Sequence, residues 1–408
     1  MNILLKPAIG LMQRLRLLPK FILVCLVFLL PLILVTTLLM VELESASALA
    51  RQERGGVAYI GQLHELSRLI QQRRAAEHLR LSGGQGADGA ALKTAIEAAM
   101  KRTEQIQQDA SGLAGLEPWQ AVKQQWQALV APPTPAAPLN AHDNLAAHGA
   151  LIARIGKLGA LVAERSSLSL DPEVASNYLT AAFLKTVPDL AENLSDLGAR
   201  GAAFIDSGLF EANEDQLVNA TALIARHDLE RAPAQFEAIF LSNPAIKPAL
   251  APKMGALNTA LDFLERTKNE VTNSYNQTSG QQYLAAANAS VDGLYAIGAA
   301  SAKVLDQLLA ERIERADARR NLMLAFVLAA IVVAAYLFAG FYASFSRDVA
   351  VLKDAVKQAA AGDLTPAIAS DAQDEIGELV GDFGAMTRAL ATLVAGIRGG
   401  AASIGAAT

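Results

Sequence analysis

The densest group of side chains able to hold an anion is Arg73, Arg74, His78 and Arg80. On a helix, Arg73 and Arg80 share a face because they are seven apart, and Arg74 and His78 share one at four apart. A guanidinium presents its N–H groups as a fork that fits the oxygens of a carboxylate or nitrate. Arg73, Arg74 and His78 are therefore the candidate ligand-binding residues, and a small anion or organic acid is the candidate ligand. The same side chains also fit a solvated charged face, where most charged residues lie. Arg154, Arg165 and Arg200 are weaker candidates for an opposing wall.

Other groupings carry less chemistry. His142 and His148 are too far apart for one helix face, so no metal site is expected there. Asp189 with Glu192, and Glu211 with Glu214, fit solvated helix surfaces, since no nucleophile or base converges on them. Trp119 and Trp126, seven apart, fit core packing first and a stacking platform second. Ser82–Gly89 is glycine-rich but follows a helix and lacks the Lys-Ser/Thr pair of a phosphate loop. No catalytic constellation and no cofactor is expected.

The elements that must position these residues are helices. Alanine and leucine dominate the 408 residues, aromatics make up 5%, and no hairpin signal occurs, so an all-α fold is expected. The net charge of -5 gives no basic field for nucleic acid. Cys25 is the single cysteine, which excludes an intrachain disulfide.

Residues 21–41 and 322–343 carry no charge and are each long enough to cross a bilayer. Lys6, Arg14, Arg16 and Lys20 precede the first span with no acidic residue, which places residues 1–20 in the cytoplasm. Ala48-Leu-Ala50 offers a small-x-small cleavage site. The apolar run is longer than a signal-peptide core, however, and Glu42 and Glu44 intervene, so an uncleaved anchor is expected. Residues 42–321 then lie outside, most simply in a bacterial periplasm, with both termini on the cytoplasmic side of the inner membrane. Arg312, Arg315, Arg319 and Arg320 disagree with that orientation, but acidic residues interleave them and long domains cross largely regardless of local charge.

In the outer segment, helices are expected over Glu42–Leu81 (weakened at Gly55-Gly56), Ala90–Ala110, Pro118–Val130 and Asn140–Ser169. Pro132–Pro138 is expected to be a stiff linker. Further helices are expected from Asp171-Pro172 to Ser207 with a kink at Pro188, then over Asn213–Arg231, Pro233–Leu241, Lys253–Tyr275 and Gln281–Arg320. A single four-helix bundle needs roughly 150 residues, so the roughly 280 here fit two stacked bundles sharing the first and last helices.

Past the second span, Val349, Leu352, Val356 and Ala359 form a short seam. A longer one follows at 3-4-3-4-3-4 spacing: Ile376, Leu379, Phe383, Met386, Leu390, Leu393 and Ile397. Gly362 ends the first helix, Pro366 keeps the connector extended, and Asp374 and Glu375 suit a helix start. Connector, acidic start and both seams resemble a HAMP domain over 346–398, with Leu364 and Ile368 as apolar plugs. The resemblance implies a parallel four-helix coiled coil formed by a homodimer, with Gly362, Pro366, Glu375, Ile376, Leu379, Phe383, Met386 and Leu390 carrying the signal.

Leu393–Thr408 resembles the entry into the cytoplasmic signalling helix of methyl-accepting chemotaxis proteins, matching at Val394, Ile397, Arg398, Ala401, Ser403, Ile404 and Ala407, with residues 399–408 as the start of that helix. That resemblance implies a chemoreceptor whose partners are a chemotaxis kinase and its coupling protein. It also implies that the chain stops at Thr408, before the signalling hairpin. The alternative is the sensor portion of a histidine kinase or diguanylate cyclase. The outer segment looks like the larger helical sensor families, the nitrate-sensing and helical bimodular types. Leu63–Leu79 is similar to the first helix of the nitrate-sensing family, although Arg-Gly-Leu-Ser there is Arg74-Ala-Ala-Glu77 here.

Overall fold

The computed structural model describes residues 5–15, 17–85, 89–109, 117–131, 140–170, 173–210, 213–365 and 374–406. Among them there is no strand. The helices are α1 (Lys6–Arg14), α2 (Leu17–Leu81), α3 (Gly89–Asp109), α4 (Glu117–Leu129), α5 (Ala141–Arg165), α6 (Val174–Ala181), α7 (Val187–Ser207), α8 (Glu214–Ser242), α9 (Lys247–Leu250), α10 (Gly255–Thr267), α11 (Gly280–Ala360) and α12 (Glu375–Ala406). The chain forms two units, Glu42–Ala318 and the pair of segments Met1–Val41 and Arg319–Thr408.

The unit Glu42–Ala318 has two apolar cores. One gathers Ile60, Leu63, Leu66 and Ile70 of α2 with Trp119 and Trp126 of α4, Leu151 and Ile155 of α5, and Leu305 and Leu309 of α11. The other gathers Leu194 and Leu197 of α7, Leu229 and Phe236 of α8, Phe263 of α10, and Tyr283 and Leu294 of α11. Each such side chain, withdrawn from water, contributes ~1.5–3 kcal/mol. Both tryptophans lie in the core, as their shared face implied.

Local sequence explains some helix ends. Asn140 caps α5, its side chain accepting from the Asp143 N–H at 2.7 Å. Gly55-Gly56 lies within an unbroken α2, and Gly56 is where Ser166 packs: a Cβ there would stand 2.2 Å from Ser166 Oγ. Two expectations need correction. The expected kink at Pro188 is a π-helical turn, Ala182–Thr186, just before α7, and a second π turn, Lys268–Thr272, extends α10. Pro233 does not divide two helices but sits inside α8. Proline costs a helix ~3 kcal/mol, whereas Leu229, Phe236 and Ile239 on its two sides are all buried at ~1.5–3 kcal/mol each. The last helix leads directly into the second apolar stretch, as expected, and is unbroken from Gly280 to Ala360. Asp171-Pro172, Pro132–Pro138 and Glu211 lie outside the described residues.

In the unit built from the two terminal segments, α2 and α11 contain stretches of mean hydropathy 3.0 and 2.7 in which no residue is buried. Phe28, Phe326 and Tyr336 are widely exposed there. Such helices are long and apolar enough to cross a membrane. Phe21 meets the edges of Phe338 and Phe341 at 5.6 and 5.3 Å. Two more helices, α5 and α12, also reach that length and apolarity, at mean hydropathies of 1.4 and 1.2. In α5 the apolar residues Leu151, Ile155, Leu158 and Val162 are spent on a core.

Candidate functional site

The candidate anion-binding residues fasten α2 to four neighbouring helices, α3, α4, α5 and α7. Arg73 donates from Nη1 to the Gly89 carbonyl at 2.7 Å and lies over the Trp126 ring at 5.6 Å. Burial lowers its pKa, partly offset by Glu77. Arg74 is 1% exposed and binds Glu192 with both terminal nitrogens, at 2.5 and 3.2 Å, and Ser195 Oγ at 3.0 Å. Burial would lower the Arg74 pKa, but Glu192 and Asp196 more than offset it and hold it raised. His78 donates from Nδ1 to the Ala141 carbonyl at 3.1 Å. Arg80 is exposed and pairs with Glu77. Arg154 and Arg165 are exposed, and Arg200 pairs with Asp196 and Glu214. Glu192 is therefore the ion-pair partner of the buried Arg74, and Glu214 that of the half-buried Arg200, rather than solvated charges.

Beside the Arg74–Glu192 pair lies a cavity of about 590 Å³, bounded by α2, α5, the first π turn and α7. Its α5 wall sets the small residues Gly149, Ala153, Gly156, Ala160 and Ala163 among Ile152, Ile155 and Lys157. Gly149 abuts the pair itself: a Cβ there would lie 3.8 Å from Arg74 Nη1. Glu192 lines the cavity, as does Gln71, whose Nε2 donates to Glu192 Oε2 at 2.8 Å. Gln71 is 1% exposed and its Oε1 has no hydrogen-bond partner. Lys157 and Lys185, both exposed, complete the polar lining with Asp189. Burial raises the Asp189 pKa, and Lys185 opposes it.

A second cavity, of about 490 Å³, lies on the α11 side of α2 and is lined by Gly61, Lys303 and Asp306 among others. His64, Phe183 of the first π turn and Tyr295 also line it. His64 and Tyr295 line both cavities. His64 packs edge-on against Phe183 at 4.6 Å, and burial lowers its pKa to about 4, so the ring is neutral at neutral pH. Burial also pushes the Tyr295 phenol up, with Glu192 adding to the effect. Sequence reasoning singled out none of His64, Gln71 and Tyr295. The one available signal was three polar side chains at i, i+3 and i+7 on α2 (His64, Ser67 and Gln71) amid apolar neighbours, a stripe that lines a single cavity. Among the described residues no group of three or more His, Cys, Asp or Glu is placed to hold a metal.

The second candidate site follows the apolar stretch of α11. Gly362, at φ +88°, occupies the left-handed conformation that closes α11, with its N–H bonded to the Ala359 carbonyl. Asp374 opens α12, its Oδ1 accepting from the N–H groups of Ile376 and Gly377 at 3.1 and 3.0 Å. Glu375 and Glu378 occupy the first turn, where the helix dipole favours them. Residues 341–392 match the HAMP domain family. No curated protein and no solved structure matches the chain.

The HAMP match confirms the relay domain expected from the connector and seams. HAMP domains are a feature of chemoreceptors and sensor kinases, so the chain carries the parts of a signal-transducing membrane sensor. Of its seam, Leu379, Met386 and Leu390 are 50%, 48% and 43% exposed in the single chain, while Ile376 and Phe383 are half-buried. Val380, Gly384 and Thr387, one register on, are buried instead. Pro366 and Ile368 lie outside the described residues.

Proposed function

We propose that this chain is the sensing and relay portion of a transmembrane chemoreceptor. It binds a small molecule outside the cytoplasm and passes a conformational signal through HAMP to a cytoplasmic chemotaxis signalling domain. The observation that carries the reading is the HAMP match at 341–392, directly after a charge-free apolar stretch of α11. The chain acts as a relay and not as an enzyme. It resides in a bacterial inner membrane with both termini inside, and residues 42–321 form two stacked bundles in the periplasm.

HAMP supplies the reason to dimerise. Leu379, Met386 and Leu390 leave an apolar seam open to water in one chain, and a second copy packed in parallel would cover it. The signal is a small shift of α11, which is continuous from Gly280 to Ala360. A ligand drives that shift only if it binds the two HAMP packings with different affinity. The kinase and cyclase readings share every one of these parts and differ only in the output domain. Reporter fusions on either side of the second span test the topology. Joining the chain to a signalling domain of known output and scoring ligand-dependent activity tests the relay.

A further inference from the structure

We infer that α1 lies in the membrane–water interface, with its apolar side on the acyl chains and Lys6 and Arg14 against the phosphate headgroups of anionic lipid. This rests on the reading of α2 as a membrane span and adds a lipid-contact surface ahead of it. Along α1, Leu5, Ala8, Ile9 and Met12 take one side with Leu11 at its border, and Lys6, Gln13 and Arg14 take the other. Leu5 and Leu11 are each 52% exposed, and Ile9 and Met12 are half-buried. Lys6, Gln13 and Arg14 are exposed. Among the described residues no side chain of α1 makes a hydrogen bond or an ion pair.

A helix of this kind needs a surface. Nine residues make a marginal helix in water, and α1 also contains Pro7 and Gly10. A basic helix with one apolar side is held where apolar and charged matter meet, at the surface of a bilayer.

The place of α1 in the chain says which surface that is. Leu15 is extended (φ -93°, ψ 144°), which sets α1 off from α2. The charge-free run of α2 begins at Phe21, and the chain from Leu15 to Phe21 reaches at most about 20 Å. α1 is therefore tethered beside the bilayer that α2 enters, and it is far too short to cross that bilayer itself.

Charge selects the lipid. Residues 1–20 carry Lys6, Arg14, Arg16 and Lys20 and no acidic side chain. Basic side chains beside a span attract anionic headgroups, and their stems can lie along apolar surface while the cation reaches a phosphate. A zwitterionic surface would give them no net counter-charge.

The test uses the full chain with Cys25→Ala and one further cysteine, Ile9→Cys, Gln13→Cys or Phe28→Cys, carrying an environment-sensitive fluorophore. The chain is placed in nanodiscs of zwitterionic lipid, with or without added phosphatidylglycerol. In the anionic discs the label at Ile9 should be quenched by lipid spin-labelled on its acyl chain and shielded severalfold from acrylamide in the water, while the label at Gln13 stays open to acrylamide. Zwitterionic discs should raise the acrylamide access of the Ile9 label severalfold, and so should Lys6→Gln with Arg14→Gln in anionic discs. The inference is overturned if the labels at Ile9 and Gln13 are equally open in anionic discs, or if neither lipid charge nor the paired cation change alters access. It is also overturned if the Ile9 label is shielded from acrylamide but not quenched by the lipid, since protein would then cover that side. The label at Phe28, within the apolar stretch of α2, separates the two readings. Lipid quenching at Phe28 with none at Ile9 removes the inference and leaves the span, and none at either position removes both.

Discussion

Arg74 and Glu192 meet fork to fork, Nη1 2.5 Å from Oε1 and Nη2 3.2 Å from Oε2, and so tie α2 to α7. The two ends are unequally buried, since the Arg74 side chain is 2% exposed and that of Glu192 is 33% exposed.

That asymmetry sets the expected cost of breaking the pair. Glu192→Ala leaves a guanidinium in the core without a counter-charge and should lower stability by ~3 kcal/mol, the low end of the range for broken buried pairs because water reaches Glu192. Replacing both partners by apolar residues, Arg74→Met with Glu192→Leu, should recover most of the loss. Urea unfolding followed by circular dichroism in detergent reads both. A Glu192→Ala variant as stable as the parent would show that the pair is not a structural tie.

Gly56→Ala separates helix propensity from packing. Propensity alone predicts a gain of ~1 kcal/mol from alanine inside a helix. The neighbouring Ser166, whose Oγ would lie 2.2 Å from the new methyl, predicts a loss of ~1–3 kcal/mol from overpacking. A loss that Ser166→Gly relieves identifies the packing effect, and a higher melting temperature for Gly56→Ala would contradict it.

Stability should fall with acidification before the carboxylates titrate. His64 and His148 both have pKa lowered to about 4, chiefly by burial. Arg73 and Arg74 push His148 further down, while Glu77 and its bond to the Asn144 carbonyl oppose them. In the unfolded chain an imidazole titrates near ~6.5. The unfolded state therefore binds more protons between about pH 6.5 and 4, so stability is full above that window and declines as pH falls through it. Glu77 and Glu104, held low chiefly by bonds from Arg80 and Lys123, add a further loss below their ordinary range. Melting temperatures at pH 7.5 and 5 check this, and His148→Asn should flatten the slope.

The relay half of the protein was more legible than the sensing half, for a physical reason. HAMP is written in local signals: a glycine in the left-handed conformation at 362, an aspartate cap at 374, and a strict apolar repeat. The apolar spans are equally local. The helical class followed from composition, and a helix was expected from Asn140, where the structure starts α5. What could not be read was anything fixed by distant contact. Arg74 finds Glu192 across 118 residues, and Gly56 finds Ser166 across the same kind of gap. The π turns before α7 and after α10 have no sequence signature, and the burial around Pro233 overrides a strong local rule. The lysines and acids of the cavity are typical surface residues in isolation, and only the fold brings them to one space.

The HAMP seam should be an interface between copies. With Cys25 replaced, cysteines introduced at Leu379 or Met386 should crosslink quickly in membranes, and one at the outward Arg388 slowly. Phe383→Asp or Leu390→Asp should disrupt that crosslinking, because each places a carboxylate in the apolar seam. Equal crosslinking at seam and outward positions would remove the bundle.

The central claim is that a helical sensing unit and a HAMP relay lie on opposite sides of one membrane. Topology reporters test it most directly, with one fused after Arg398 and another inserted within Pro132–Pro138. On the proposed topology, which rests on the two apolar stretches and the basic N-terminal flank, the first is expected in the cytoplasm and the second outside. Both reporters on the same side would contradict the account.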